Sequence, residues 1–191
     1  MMMWILLATG FTGALTLVFL IRLLYRALGT LFSVTVHFSP KGGTTDAIIH
    51  ELKSARREVL VLAYSFSSKP IAEALVAAKT RGAQVEIVLD RSNEQEDYSD
   101  LQLFEEQGLA PLVDAQHAIA HNKLMIIDSR TLITGSFNFT HQAEAENAEN
   151  LLIVKGHPEL VALYRQNFQT HKAHSHVPSR KAAVAAHRGA A

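Results

Sequence analysis

Three kinds of patterning follow one another along the chain. From Met1 to Ile21 the sequence MMMWILLATGFTGALTLVFLI is apolar on every face and holds no ionisable side chain. About 20 such residues span a bilayer as a helix. From Ser33 onward, short β-prone runs alternate with helical ones. VTVHF (34–38), EVLVLAYSF (58–66), AQVEIVLD (83–90) and LLIVK (151–155) read as strands. Between them, SPKGG (39–43) reads as a turn, and Ala47, Ile48, Leu52 and Ala55 fall on one face of a helix that Thr45 or Asp46 is placed to cap. A second helix runs from Pro70 to a stop at Gly82, and a short one, LQLFEEQG, ends at Gly108. After the polar loop 91–100 and that short helix come APLVDA and an apolar hairpin (121–140). The polar stretch HQAEAENAEN (141–150) follows, and a helix begins at Pro158 and reaches about His171. Strands spaced by helices predict an α/β fold with a mixed sheet sandwiched by helices, preceded by an apolar N-terminal helix. In the third region, KAHSHVPSRKAAVAAHRGAA, the apolar periodicity is too short to pack. Residues 172–191 are therefore expected to form a disordered basic tail, with the histidines of HKAHSH solvated.

Charge sharpens this division. Residues 1–33 hold Arg22 and Arg26 and no acid; residues 172–191 hold Lys172, Arg180, Lys181 and Arg188 and no acid. Removing those six from the 18 basic residues leaves 12 against 18 acidic ones between residues 34 and 171, a net charge of −6. Such a core does not attract polyanions by bulk charge, so phosphate recognition needs a local site. Arg22 and Arg26 follow the apolar run instead of preceding it. That suits an uncleaved anchor over residues 1–28 with the domain that follows (34–171) on the cytoplasmic side. The alternative is a signal peptide cut after ALG (27–29) and an exported protein. The chain has no cysteine, which excludes disulfides and thiolate chemistry.

The hairpin HNKLMIIDSRTLITGSFNFT carries the candidate chemistry. His121 and Lys123 share a strand face by alternation, and Ser136 and Asn138 share one on the returning strand. Asp128 sits at the turn, where a carboxylate naturally accepts hydrogen bonds from backbone amides. An imidazole beside an ammonium, a hydroxyl and a carboxamide suits phosphoryl transfer: a nucleophile or proton carrier with donors for the non-bridging oxygens. His117 and His121 in HAIAH have the spacing of a helical zinc pair. Their flanks do not read as a helix and no Glu follows the first His, so no metal ligand is assigned.

His121-x-Lys123, four residues, Asp128, six residues, then Gly135-Ser136 and Asn138 resembles the HKD signature of the phospholipase D superfamily. VHFSPKGG, LAYSF, ALVAAKTRGAQVEIVLD and ENAENLLIV also look like segments of its compact members, the Nuc-type endonucleases and the cardiolipin hydrolases, over roughly residues 34–170. The resemblance implies a metal- and cofactor-independent phosphodiesterase in which His121 forms a phosphohistidine. It further implies that Lys123, Ser136 and Asn138 hold the phosphate, that Asp128, as part of the signature, belongs to the catalytic set, and that Glu149 orients the imidazole. With one motif per chain, the second histidine would come from a partner, so a homodimer with a shared active site is implied. The motif is common to nucleic-acid and phospholipid substrates; an endonuclease is favoured because the compact single-motif form resembles nucleases across its whole core. A non-catalytic phosphate binder is disfavoured by the intact set.

Overall fold

The computed structural model describes residues 16–24, 32–94 and 100–178. The chain divides into two compact units between Ser33 and Val34. In the first, residues 16–24 form a helix, α1, with Leu17, Phe19, Leu20 and Leu24 exposed. Among the described residues no helix is long and apolar enough to cross a membrane. Most of the segment read as an anchor or signal lies outside the described residues.

The second unit is built on a seven-stranded sheet of order β1-β7-β6-β5-β2-β3-β4. Its strands are β1 (Ser33–Ser39), β2 (Glu58–Ala63), β3 (Gln84–Asp90), β4 (Leu112–Asp114), β5 (Lys123–Ile127), β6 (Thr131–Gly135) and β7 (Glu149–Lys155). β2, β3 and β4 run parallel, whereas β5 is antiparallel to both β2 and β6, and β6 to β7. The sheet is mixed, as the alternation of strands and helices predicts.

Helices cover both faces, and the strand periodicity shows which residues meet them. Val59, Val61, Met125, Ile127 and Ile133 point one way, into a core shared with Ile48 and Leu52 of α2 (Thr44–Ser54) and Ile71 and Leu75 of α3 (Lys69–Thr80). Phe104 of α4 (Asp100–Glu106) joins that core. Leu60, Leu62, Leu124 and Ile126 point the other way, onto Val161 and Phe168 of α6 (Pro158–Ala173). β2 is thus buried on both sides, which explains its unbroken apolar run EVLVLA. Phe168 is fully buried, and truncating such a ring to alanine costs about 3–5 kcal/mol.

The structure revises four local expectations. α2 begins at Thr44, with Gly43 as its N-cap in the left-handed region; no side chain of its own caps it. The Glu144 carboxylate accepts the Thr45 amide at 2.7 Å instead, a cap supplied from a distant segment. Within the polar stretch 141–150 lies a short helix, α5 (His141–Ala145), capped by the Thr140 hydroxyl, and β7 already begins at Glu149. Finally, the tail does not begin at residue 172. α6 continues to Ala173, and His176 pairs with Val113 through reciprocal backbone hydrogen bonds of 2.8 and 3.0 Å. Hydrophobic periodicity misses this segment because backbone pairing and polar side chains hold it, not an apolar stripe. Residues 179–191 lie outside the described residues.

Candidate active site

The strand directions gather one end of four neighbouring strands. β5 is antiparallel to β2 and β6, so its first residue, Lys123, pairs with Ala63 at the end of β2. The β5–β6 register, Leu124 opposite Thr134, brings Lys123 level with Gly135 at the end of β6. Gly135 in turn pairs with Leu151 near the start of β7, two residues after Glu149. Ligand sites of open α/β sheets lie beyond such strand ends, where loops and not further ladder continue the chain.

Lys123 points to the face that carries the α2–α3 core and is only 7 % exposed. Its Nζ has no hydrogen-bond partner among the described residues; it sits 4.9 Å from the centroid of the Tyr64 ring. Burial lowers its pKa from the ordinary lysine value, and the opposing charge of Glu149 counters part of that shift. A buried cation with three unused donors is costly unless something anionic is meant to occupy the space beside it. His121, two residues before β5, is exposed, and its ring centroid lies 4.5 Å from that of Tyr64 at a tilt of 58°. Tyr64 therefore supports both members of the pair.

The backbone around this platform is tied down. The Tyr64 amide donates to the Asn122 carbonyl at 2.8 Å, and Asn93 Nδ2 donates to the Tyr64 carbonyl at 2.9 Å. Asp90, buried at the end of β3, accepts the Ala120 amide at 2.6 Å and the Ser92 amide at 2.9 Å. The segment entering His121 is thus pinned by a buried carboxylate, which fixes the imidazole's position without touching it.

Past β6, the amides of Ser136 and Phe137 both donate to the Asn150 carbonyl, at 3.1 and 3.2 Å, a bulge-like arrangement. Phe137 and Phe139 take the core side, leaving Ser136 exposed and Asn138 half-buried. Ser136 Oγ accepts from the Asn150 amide at 3.1 Å, while Asn138 Oδ1 is buried with no partner. Neither hydrogen-bonds to His121 or Lys123; both follow Gly135, and Phe137 and Phe139 take the core face that Lys123 shares. Gly135 has φ +156°, and a Cβ there would collide with the Asn150 carbonyl. Its lack of a side chain serves the approach of β7. Glu149 accepts from Asn147 Nδ2 at 3.3 Å and acts electrostatically on Lys123; it makes no hydrogen bond to the imidazole of its own chain.

Asp128 does not belong to this end at all. It sits past the other end of β5, some five strand residues or about 16 Å away. Its carboxylate accepts the amides of Arg56 (3.0 Å), Arg57 (2.8 Å) and Glu58 (3.0 Å). Burial would raise its pKa, but these amides and the Arg57 charge hold it below the usual carboxylate range. Its assignment as catalytic is corrected: it fastens the β5–β6 turn to the start of β2, the role its place in the turn suggested. The turn needs the fastening, since Asp128 and Ser129 both adopt positive φ.

Sequence reasoning missed Tyr64. Its signal was position, an aromatic directly after a doubly buried strand at the end where the sheet opens. The pairing of His117 with His121 is also not found. His117 Nδ1 lies 3.0 Å from Asp114 Oδ2, whereas the His121 ring packs at a tilt against Tyr64. The histidines of HKAHSH are not solvated as a group either: His171 and His174 meet the same Asp114 oxygen.

A buried unpaired ammonium, an exposed imidazole on a shared aromatic support and an unsatisfied carboxamide make a candidate site for an anionic group at one end of the central strands. Comparison with known proteins gives the class a lineage. Residues 48–172 match the family model described as cardiolipin synthase, PLD-like domain. The chain is 40 % identical over 140 residues to a phospholipase D of Rickettsia bellii, covering 73 % of this chain and 69 % of that protein. It is 32 % identical over 122 residues to human mitochondrial cardiolipin hydrolase, covering 64 % of this chain and 48 % of that protein. Among solved structures, the phospholipase D family member Nuc from Salmonella typhimurium superposes with a TM-score of 0.72 at 32 % identity, over 76 % of this chain and 97 % of Nuc. The chain belongs to the phospholipase D superfamily and is a phosphodiester-hydrolysing enzyme.

Proposed function

We propose that the protein is a phosphodiesterase that works through a phosphohistidine on His121, as a dimer, with nucleic acid as its substrate. The observation that carries the chemistry is the buried, unpaired Lys123 ammonium sharing the Tyr64 ring with the exposed His121 imidazole. A ring nitrogen of His121 attacks phosphorus, a P–N bond forms and the P–O ester bond breaks. The leaving oxygen takes a proton from the partner's His121. That histidine then accepts a proton from water as the water cleaves the P–N bond, releasing the phosphomonoester and restoring both imidazoles. Lys123 and a donor from Asn138, whose amide orientation is interchangeable, hold the non-bridging oxygens. Ser136 is placed to add a third. Glu149 is uncommitted to its own chain's imidazole, which leaves it available to orient the partner's. The edge strand β1 exposes Val34, Val36 and Phe38 on one face, an apolar stripe that a second chain can cover.

The overlay along 97 % of Nuc favours a compact nuclease. A phospholipid substrate is the second reading, favoured by the names of the Rickettsia and mitochondrial relatives and by the apolar run at the N-terminus. In the same proposal, that run stays attached and holds the enzyme on the cytoplasmic face of a membrane. The purified full chain, offered single-stranded DNA, duplex DNA, RNA and phospholipid vesicles in parallel with no added metal, tests the substrate. Cleavage of nucleic acid with intact vesicles supports the first reading, and the reverse establishes the second. Turnover that needs added divalent metal refutes the phosphohistidine route. Intact mass of the membrane-derived protein tests the anchor, and a chain starting near Thr30 would replace it with a cleaved signal.

A further inference from the structure

Away from the phosphoryl site, the end of β4 presents an arrangement that hydrogen bonding does not explain. The Asp114 carboxylate is completely buried. One of its oxygens, Oδ2, lies 3.0 Å from His117 Nδ1, 2.6 Å from His171 Nδ1 and 3.2 Å from His174 Nε2. The three rings surround that oxygen with centroid separations of 4.9, 5.2 and 5.6 Å. One ligand atom from each of the four residues lies within 4.8 Å of every other.

A carboxylate oxygen offers about two lone-pair sites. His117 and His171 have the geometry to use them, and His174 does not: its Nε2 is buried and lacks a hydrogen-bond partner despite the 3.2 Å separation. Leaving such a nitrogen desolvated and unsatisfied is unfavourable, and an imidazole presenting its lone pair to a carboxylate is repelled by it. A cation at the centre of the four removes both difficulties. Zinc binds imidazole nitrogen and carboxylate oxygen at about 2.0–2.2 Å. Tetrahedral bonds of that length put neighbouring ligand atoms roughly 3.3–3.5 Å apart. The His117 and His174 separations from Asp114 Oδ2, 3.0 and 3.2 Å, fall just short of that scale. His171 Nδ1, at 2.6 Å, would have to move outward further, giving up its hydrogen bond to Asp114 to admit an ion.

We propose that Asp114, His117, His171 and His174 form a closed, four-ligand site for a divalent transition-metal ion, zinc by its donor set, which clamps the loop leading to His121 onto the end of α6. Three imidazoles and one carboxylate suit zinc and its first-row neighbours, whereas calcium and magnesium demand oxygen ligands. Four protein ligands complete a tetrahedron and leave no open position, so the ion is structural and takes no part in phosphoryl transfer. His117 is half-exposed, which gives the ion a way in from solvent. The ligands come from two places: Asp114 and His117 border the loop that Asp90 pins at Ala120, and His171 and His174 form the last turn of α6 and its C-cap. The backbone pairing of Val113 with His176 brings those two segments together independently of any ion.

The test uses the full chain, purified without a histidine tag and without chelator. Elemental analysis should find about one zinc per chain after dialysis. The cobalt-substituted protein should show the intense visible absorption of a tetrahedral ion. Added zinc should raise the melting temperature of metal-stripped protein by several degrees. His174→Ala makes no hydrogen bond to lose and so should fold; it should weaken cobalt binding by tenfold or more and abolish the zinc-dependent rise. His176→Ala, whose ring meets Glu94 instead, should leave both unchanged. Metal-free protein that gives no tetrahedral cobalt spectrum overturns the proposal. Binding that survives His174→Ala and His117→Ala alike would be adventitious, and overturns it equally.

Discussion

The two ends of β5 hold residues of one sequence signature under opposite conditions. At the far end, Asp128 has every demand met: three backbone amides converge on its carboxylate, and Arg57 donates to its carbonyl. At the near end, Lys123 Nζ and Asn138 Oδ1 are buried and unmet. Native proteins satisfy nearly all buried polar groups, so satisfaction marks architecture and its absence marks a place prepared for something else. Two residues of one motif, separated by a single strand, thereby do different work.

The comparison is broken most severely by removing the nucleophile. His121→Ala should lower turnover by about 10⁴-fold or more while leaving the melting temperature unchanged, because the exposed ring supports only Tyr64. Rapid-quench assays alongside calorimetry read both; residual turnover near wild type would remove His121 from the mechanism.

Lys123→Met should reduce kcat/KM by roughly 10²–10³-fold. Unlike a typical core substitution, it should leave the protein as stable or more so, since an uncompensated buried cation disappears. The sign with pH follows from the lowered pKa: the folded state carries the cost while the lysine is charged. The variant's advantage should be full below the folded pKa and fade as pH rises from there to the ordinary lysine value of 10.5. Paired denaturation curves at neutral and alkaline pH check it. A loss of stability at neutral pH would mean that Lys123 is a structural cation.

If two copies of His121 make one site, co-refolding wild type with excess His121→Ala should reduce activity as the square of the wild-type fraction, and not in proportion to it. Strict proportionality would locate a complete site in each chain. The smallest effect on chemistry belongs to Asp128→Asn. Asparagine tolerates the left-handed backbone, so the loss is the charge and one of the two acceptor oxygens, since an amide nitrogen cannot accept from a backbone amide. Stability at pH 7 should fall by about 1–3 kcal/mol, with turnover per folded molecule close to wild type. Since the folded pKa of Asp128 is depressed, its contribution is complete above the ordinary carboxylate value. It disappears as pH falls through the folded one, and the two proteins should converge in acid.

What the sequence disclosed depended on how local the cause was. The strands announced themselves because apolar alternation and doubly buried runs are properties of a few adjacent residues. His121 and Lys123 were legible through the same parity. Glu144 as the cap of α2, Tyr64 as a support and the convergence of His117 with His171 and His174 were not, because each is a meeting of segments far apart in the chain. Asp128 shows the reverse case. The turn chemistry of one residue predicted its structural task correctly, while membership of a motif suggested a catalytic one.

The pairing of the segment 171–176 with β4 carries a consequence for the order of events during synthesis. His171 reaches Asp114 across 57 residues, so the loop before His121 acquires these partners only after β6, β7 and α6 have left the ribosome. Until then the loop is held by Asp90, by the Tyr64 amide and by Asp114's own bonds to Gln116 and His117. A nascent chain already displaying its nucleophile would still lack the brace that steadies it. The enzyme would thus become competent late, when the sheet around it is complete and indiscriminate chemistry during translation is no longer a hazard.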